Sequence, residues 1–159
     1  MLAAILGAMR TFRRTSVVAA PRTVVWERVT SFDGINHELM PLMRMRVPRG
    51  LRGQTMATVP LGQPLGRAWI CYLGLLPLEY DDLLLTEVVP GSHFHEVSTM
   101  LTMRRWEHRR ELRDAPGGTE VTDTVGFEPR VAALAGVLEP VLKGLFSHRH
   151  RRLRLYFHR

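Results

Sequence analysis

The strongest constraint on the fold is a succession of strand-like segments that ends in one long helical segment. Between residues 67 and 128, five runs with strand-like composition are separated by Pro-Leu, Pro-Gly or Pro-Gly-Gly turn signals. Such short connections join neighbouring strands, so the runs predict antiparallel hairpins. Apolar side chains then recur at helical spacing from Val131 to Phe157, which predicts one long amphipathic helix. The chain is therefore expected to fold as a sheet covered by a single terminal helix.

The segment before the sheet predicts one strand and two short helices. Residues 11–20 alternate and carry β-branched side chains, and Pro21 then precedes a helical pattern. A second short helix is expected before Pro41, followed by a half-buried strand in LMRMRVP. Residues 49–66 are rich in Gly and Pro and predict either a long irregular connection or an interrupted hairpin. Together these elements predict an α+β domain.

A chain of 159 residues is the size of one domain. We expect residues 1–10 to form an N-terminal extension and residues 11–159 to form the single domain. The extension begins MLAAILGAM, which is too short to span a bilayer and has no charge before its apolar run, unlike a secretory signal. With 45% hydrophobic and 23% charged residues, the composition excludes a disordered or fibrous protein.

The formal charge of +7 comes from 22 basic and 15 acidic residues, and Lys143 is the only lysine. Such an excess attracts nucleic acid, anionic membranes or acidic ligands. The densest basic segment is HRHRRLRLYFHR. We interpret it as the solvated face of the terminal helix, with Arg151, Arg152 and Arg154 pointing outward. Because no helix-turn-helix or zinc motif accompanies it, nucleic acid is not an expected partner, whereas contact with a membrane surface and a homodimer stay open.

Cys71 is the only cysteine, which excludes an intramolecular disulfide and a thiolate zinc cluster. A reducing compartment, and hence a cytoplasmic location, is expected. His93 and His95 share a strand face but have no evident third metal ligand. No Gly-rich phosphate loop, HExxH or GxSxG string occurs. We therefore expect neither a bound metal nor a cofactor.

Several strings, in this order, carry a family resemblance: SVVAAPRTVVWERV, VVPGSHF, RRWEHRREL with GGTEVTDTVGFEP, and LFSHRHRRLRLYF. Over residues 11–158 the chain resembles the SRPBCC superfamily, which includes START lipid-binding domains, birch-allergen-like proteins and polyketide cyclase/dehydrase-like proteins. The resemblance implies a helix-grip fold, in which a curved antiparallel sheet of about seven strands wraps around the C-terminal helix. Two short helices follow the first strand. The resemblance also implies a cavity between sheet and helix that takes a hydrophobic small molecule.

Strand alternation directs several polar side chains toward the sheet face that must be interior. In one strand the inward set is Val121, Asp123, Val125 and Phe127, and in its hairpin neighbour it is Arg104, Trp106, His108, Arg110 and Leu112. An unpaired carboxylate is costly to bury, so Asp123 is expected to pair with His108 or Arg110. Three interpretations stay open: a structural network, a polar end of the cavity that orients a ligand, or a catalytic His108–Asp123 pair. No nucleophile is evident beside that pair.

The terminal helix adds Arg149, which continues the apolar stripe through 138, 142, 145 and 146. Arg110 and Arg149 are the two cations that periodicity directs toward the cavity, and they would favour a ligand with an acidic or carbonyl end. His108 and Asp123 are the only catalytic candidates. The candidate ligand-binding residues are Trp69, Trp106, His108, Arg110, Asp123, Phe127, Leu138, Leu142, Leu145 and Arg149.

The leading functional prediction is the binding of a hydrophobic small molecule, such as a lipid, a polyketide-like ring system or another apolar metabolite. The first alternative is an enzyme of the cyclase/dehydratase type that uses His108 and Asp123 in the same cavity. The second alternative is a basic interaction module for an anionic surface or nucleic acid.

Overall fold

A computed structural model describes residues 9–158 and has the predicted α+β architecture, in which an antiparallel sheet curls around a long C-terminal helix. The sheet has eight strands in the order β1-β8-β7-β6-β4-β3-β2, with β5 paired to β6. The strands are β1 Arg10–Val18, β2 Met43–Arg46, β3 Arg67–Tyr72, β4 Leu76–Asp82, β5 Leu85–Val89, β6 His93–Met100, β7 Met103–Ala115 and β8 Gly118–Pro129.

Two short helices follow the first strand, as predicted, and one long helix ends the chain. The helices are α1 Arg22–Thr30, α2 Phe32–Leu39 and α3 Ala135–Phe157, with short 3-10 turns at Arg49–Leu51 and Ala132–Leu134. Ser31 separates α1 from α2, and its hydroxyl caps α2 by accepting a 3.0 Å hydrogen bond from the Gly34 amide. Residues 47–66 contain only the first 3-10 turn, so the predicted irregular connection is confirmed.

One predicted strand is divided in two, which raises the number of strands from about seven to eight. The run EYDDLLLTEVV forms the end of β4 and all of β5, with a break at Leu83 and Leu84. Both pieces pair with β6: Asp81 lies opposite Met100, and Leu85 lies opposite Glu96. The bend between β4 and β5 contributes to the curvature that creates a concave face.

The hairpin of β7 and β8 forms the middle of the sheet and positions most of the polar side chains considered below. It turns through Pro116 and Gly117. Gly118 follows at φ +150°, and a Cβ there would lie 1.9 Å from the Val18 carbonyl oxygen, so this close approach requires glycine. On the other side of β8, strand β1 runs antiparallel with Arg14 opposite Asp123.

The predicted alternation of buried residues is confirmed for β8, whose odd positions 121–127 are completely buried. On β7 it holds from Trp106 to Leu112 but is wrong for Arg104, which is exposed. A register shift between Met103 and Arg105 reverses the alternation at this end, so Met103 is buried instead.

Strand β1 begins at Arg10, so the last residue of the predicted 1–10 extension belongs to the sheet. Residues 1–8 of that extension lie outside the described residues. Helix α3 turns Phe146, Arg149, His150 and Leu153 toward the sheet, and the core lies between them. Within residues 9–158, no helix has the length and apolar character needed to cross a bilayer.

Candidate ligand cavity and its buried polar wall

A cavity of about 280 Å³ lies between the concave face of the sheet and α3. Leu78 of β4 and Val141 of α3 line it although they are 60% and 54% exposed, so they mark its mouth. Most of the remaining wall is apolar and adaptable, because methionine side chains fit irregular shapes. The apolar lining includes Ile35, Leu39, Met43, Met45, Met56, Ile70, Leu83, Phe94, Met100, Met103, Trp106, Leu138, Leu142, Leu145 and Phe146.

Polar side chains reach the cavity at two places. At the first place, Arg149 of α3 and His108 of β7 line the cavity, and both form hydrogen bonds within a buried ionic network. Glu79, Asp81 and Glu96, from β4 and β6, form the second. The two groups have different charge balances, which determine what each can bind.

Asp123 is the centre of the ionic network. Its Oδ1 accepts from Nε of Arg110 at 2.7 Å and from Nε2 of His108 at 2.8 Å. Its Oδ2 accepts from Nη2 of Arg110 at 2.7 Å and from Nε2 of His150 at 2.8 Å. Four hydrogen bonds therefore satisfy a carboxylate that has no exposed surface.

Glu38 is the second carboxylate of the network and comes from α2. Its Oε1 accepts from Nη1 of Arg110 at 2.7 Å, and its Oε2 accepts from Nη2 of Arg110 and Nε of Arg149, both at 3.0 Å. Arg110 thus lies between two carboxylates, and Glu38 connects it to α3. The network joins α2, β7, β8 and α3 at one point in the core.

The network is electrically balanced. Burial alone would raise the pKa of Asp123, but Arg110 and then His108 outweigh it and hold that pKa well below its ordinary value. Burial likewise opposes the charged form of Glu38, yet Arg110 and Arg149 lower its pKa. Two carboxylates therefore face two guanidinium groups, and neither arginine carries an uncompensated charge.

His150 connects the network to β1. Burial lowers its pKa against the opposing effect of Asp123, so the imidazole is neutral near pH 7. Its Nε2 donates to Asp123, and its Nδ1 lies 2.6 Å from the Ser16 hydroxyl. A neutral ring with its proton on Nε2 leaves Nδ1 as the acceptor, so Ser16 is the donor of that bond.

At the second polar place, no cation of the described part of the chain balances the carboxylates. Asp81 is 2% exposed, and its Oδ1 has no hydrogen-bond partner among residues 9–158. Burial, followed by the adjacent negative charge of Glu96, raises the pKa of Asp81 well above its ordinary value. Glu96 accepts a 2.8 Å hydrogen bond from the Ser98 hydroxyl. Nearby, Glu79 accepts from both the amide and the hydroxyl of Thr102.

The structure brings six of the ten candidate ligand-binding residues to the cavity: Trp106, His108, Leu138, Leu142, Leu145 and Arg149. The other four are not among its lining residues. Arg110, Asp123 and Phe127 have no exposed surface and lie behind the wall. Trp69 is 38% exposed and packs edge-on against Tyr80, because Ala68 and Cys71 are the buried positions of β3. The predicted contact of His108 and Asp123 is present.

Sequence reasoning missed Glu38, His150 and Asp81. A signal existed for His150, which lies four residues after Phe146 and three before Leu153 and therefore belongs to the inward stripe of the helix. Glu38 follows the buried Ile35 at helical spacing. For Asp81 the only signal was its place in a strand-like run, since no alternation in LPLEYDD distinguishes its two faces.

The remaining polar candidates lie elsewhere. Arg151 and Arg154 are exposed, and Arg152 donates to the carbonyl of His37 at 3.0 Å. His93 and His95 lie near Glu87 and Glu107, and the described part of the chain contains no group of three side chains able to hold a metal. A larger depression of about 740 Å³ is bordered in part by surface ion-pairing groups such as Arg67 and Asp82.

The curled sheet, the long helix that it grips and the cavity between them give the chain the helix-grip fold. The chain belongs to the family described as a domain of unknown function (DUF8410), whose profile matches residues 16–157. A search of curated proteins found no match.

Among solved structures, the chain is similar to a START superfamily protein from Mycobacterium smegmatis, at 9% identity and a TM-score of 0.68 over 93% of this chain and 97% of that one. It is also similar to Ara h 8.0201, at 13% identity and a TM-score of 0.66 over 94% and 98%. A third is the Zhui aromatase/cyclase from a Streptomyces species, at 16% identity and a TM-score of 0.63 over 96% and 95%. At these identities the similarity concerns the fold.

Proposed function

We propose that this protein binds a hydrophobic small molecule in the cavity between the sheet and α3. The observation that carries the proposal is the cavity of about 280 Å³ with a mostly apolar wall. That volume is near the lower end for small-molecule sites, which are typically about 300 Å³ or more. The ligand is therefore expected to be compact, such as a medium-length acyl or alkyl chain or a small ring system.

The wall combines a rigid part with an adaptable part, as a binding site requires. The ionic network fixes one side, because Arg110 is bonded to both Glu38 and Asp123. The rest of the wall contains several methionines, which can repack around different shapes. The similarity in fold to a START superfamily protein and to an aromatase/cyclase supports this proposal.

A solvatochromic dye whose fluorescence rises in apolar surroundings tests this proposal. We expect the purified protein to bind the dye, and Leu142→Trp to abolish most of the signal by filling the cavity. The matched control is Leu155→Trp on the same helix, where the side chain is 53% exposed, and it is expected to leave the signal unchanged. Equal binding by both variants would contradict the proposal, as would an absence of binding by the native protein.

An enzyme of the cyclase/dehydratase type is the second candidate. The observation that favours it is His108, which lines the cavity while its Nε2 donates to Asp123 at 2.8 Å. A carboxylate in this position orients an imidazole for acid–base chemistry. The same contact also satisfies Asp123, so binding without chemistry remains the leading function.

Replacing His108 distinguishes the two functions. A bound ligand that is recovered unchanged by mass spectrometry from both the native protein and His108→Gln supports binding alone. Conversion by the native protein that stops in a folded His108→Gln variant, as judged by circular dichroism, supports the enzyme. A cytoplasmic location, membrane-surface contact and a homodimer stay predictions from the sequence.

A further inference from the structure

The cavity of this basic protein has an acidic interior. The chain as a whole carries a formal charge of +7, yet Glu79, Asp81 and Glu96 all line the cavity. Arg149 is the one arginine or lysine among the described lining residues, and its guanidinium is bonded to Glu38. The arginines that could have attracted an anionic ligand are thus already neutralised.

Glu79, Asp81 and Glu96 form the acidic end of the cavity, and no cation within the described residues compensates it. Across residues 9–158, none of Glu79, Asp81 and Glu96 has an arginine, lysine or histidine nitrogen in an ion pair within 4.0 Å. Such burial of unpaired acids is unfavourable unless protons or partners neutralise them. The raised pKa of Asp81 corresponds to the first of these remedies, because burial and the adjacent negative charge of Glu96 favour its protonated form.

One acceptor of the pair is free. Glu96 accepts the hydrogen bond from the Ser98 hydroxyl. Oδ1 of Asp81 has no partner among residues 9–158, although the residue is 2% exposed and lines the cavity. Unsatisfied buried acceptors are uncommon in folded proteins, and each one requires an explanation such as a functional role or a bound partner.

We propose that the Asp81–Glu96 pair is the recognition site for the cationic head of the ligand, and that the ligand is a hydrophobic amine. This inference rests on the proposed function, because the apolar part of the amine occupies the same cavity. The ammonium group donates to Oδ1 of Asp81 and supplies the positive charge that the pair lacks. An alcohol offers a donor without the charge, and a carboxylate is repelled by the acidic end.

An organic cation suits this site better than a metal ion does. The described residues contain no cluster of three potential metal ligands, and most of the wall offers no oxygen donors. An alkylammonium ion needs few hydrogen bonds and buries its own apolar chain against Met100 and Met103. The charge state of the pair then changes, because an adjacent ammonium favours ionised Asp81 and one proton passes to solvent.

Three probes with the same chain length test the proposal: octylamine, octan-1-ol and octanoate, each titrated by displacement of the apolar dye at pH 7. We expect the affinity for octylamine to be at least about tenfold higher than that for octan-1-ol, and octanoate to bind most weakly. Calorimetry of octylamine binding in phosphate and in Tris is expected to show proton release as a buffer-dependent heat.

Asp81→Asn is expected to lower octylamine affinity about tenfold toward that of octan-1-ol, while octan-1-ol binding is retained. The matched control is Asp82→Asn, the next residue, whose carboxylate pairs with Arg67 away from the cavity. The ranking of the three probes on the native protein also tests the proposal without any variant.

The outcomes separate the inference from the function on which it rests. Binding of octan-1-ol or octanoate as tight as that of octylamine overturns the inference and leaves the cavity proposal intact. An unchanged octylamine affinity in folded Asp81→Asn overturns it as well. If neither the dye nor any of the three probes binds, the proposed function itself fails.

Discussion

Glu38 of α2 and Arg110 of β7 meet in the core through two hydrogen bonds of 2.7 and 3.0 Å, although 72 residues separate them in the chain. The contact is a bidentate pairing of carboxylate and guanidinium. Because Arg110 also bonds to Asp123, this pair connects the helical segment to the centre of the sheet. One ionic network therefore joins α2 to the sheet behind the cavity wall.

Removing the charge of Glu38 is expected to be strongly destabilising. Glu38→Gln leaves Arg110 and Arg149 with one carboxylate between them, and breaking a buried pair costs about 3–5 kcal/mol. Urea denaturation followed by circular dichroism measures the change. The control is Glu27→Gln, an exposed position on α1, which is expected to stay within about 0.5 kcal/mol. A loss at Glu38 no larger than the control would contradict the network's role.

The stability of the protein is expected to fall as the pH falls below about 6.5. The folded-state pKa of His150 is below its ordinary value of 6.5, so the unfolded chain takes up a proton first. Stability from this group is complete above 6.5 and is lost as the pH falls toward the folded pKa. At lower pH, Asp123 and Glu38 add a second loss, since their folded-state pKa values are also lowered.

Urea midpoints between pH 7.5 and 5 measure the contribution of His150. His150→Gln keeps a donor for Asp123 but cannot titrate, so its stability is expected to depend less on pH over this range. His158→Gln, at an exposed position near the chain end, serves as the control. Parallel pH profiles for the native protein and His150→Gln would refute the assignment.

The contribution of Asp81 to stability is expected to have the opposite pH dependence, because its pKa is raised in the folded protein. Its folded-state pKa is raised, so the stability that it contributes is present below its ordinary value of 3.8 and is lost as the pH rises through the folded pKa. Asp81→Asn cannot ionise. The thermal midpoint of this variant is therefore expected to rise relative to that of the native protein as the pH increases. A constant difference between the two midpoints from pH 5 to 9 would be the contrary result.

Phe146 is an aromatic residue of α3 through which the helix packs against the sheet. It is 1% exposed, with its ring centroid 5.8 Å from Phe12 and 5.2 Å from His108. Phe146→Ala is expected to cost about 3–5 kcal/mol in the free energy of unfolding, and it enlarges the cavity. Leu155→Ala, outward on the same helix, is the control. Similar losses for both variants would show that α3 is not held by this face.

The local order of elements could be read from the sequence because it depends on short-range patterns. Turn signals delimit the strands, Pro21 precedes α1, and the 3.6-residue period identifies α3. Alternation also predicted the burial of Asp123 and His108, and charge chemistry predicted that they would pair. These inferences need only neighbouring residues or one hairpin.

Other features depended on contacts that no local pattern encodes. Glu38 and His150 reach Asp123 and Arg110 from separate helices, so their roles follow from how α2 and α3 pack on the sheet. The register shift that exposes Arg104 arises between β7 and β8, not within either strand.

The sequence by itself determined the α+β architecture, with an antiparallel sheet and one long terminal helix, and the burial of a His-Arg-Asp group, because periodicity and desolvation act on local patterns. Only the tertiary structure decided the electrical character of the cavity. Packing neutralises Arg110 and Arg149 with Glu38 and Asp123, and it leaves Asp81 beside Glu96 without a cation. Charge balance in a buried site depends on which distant groups meet there, and that is set by the fold.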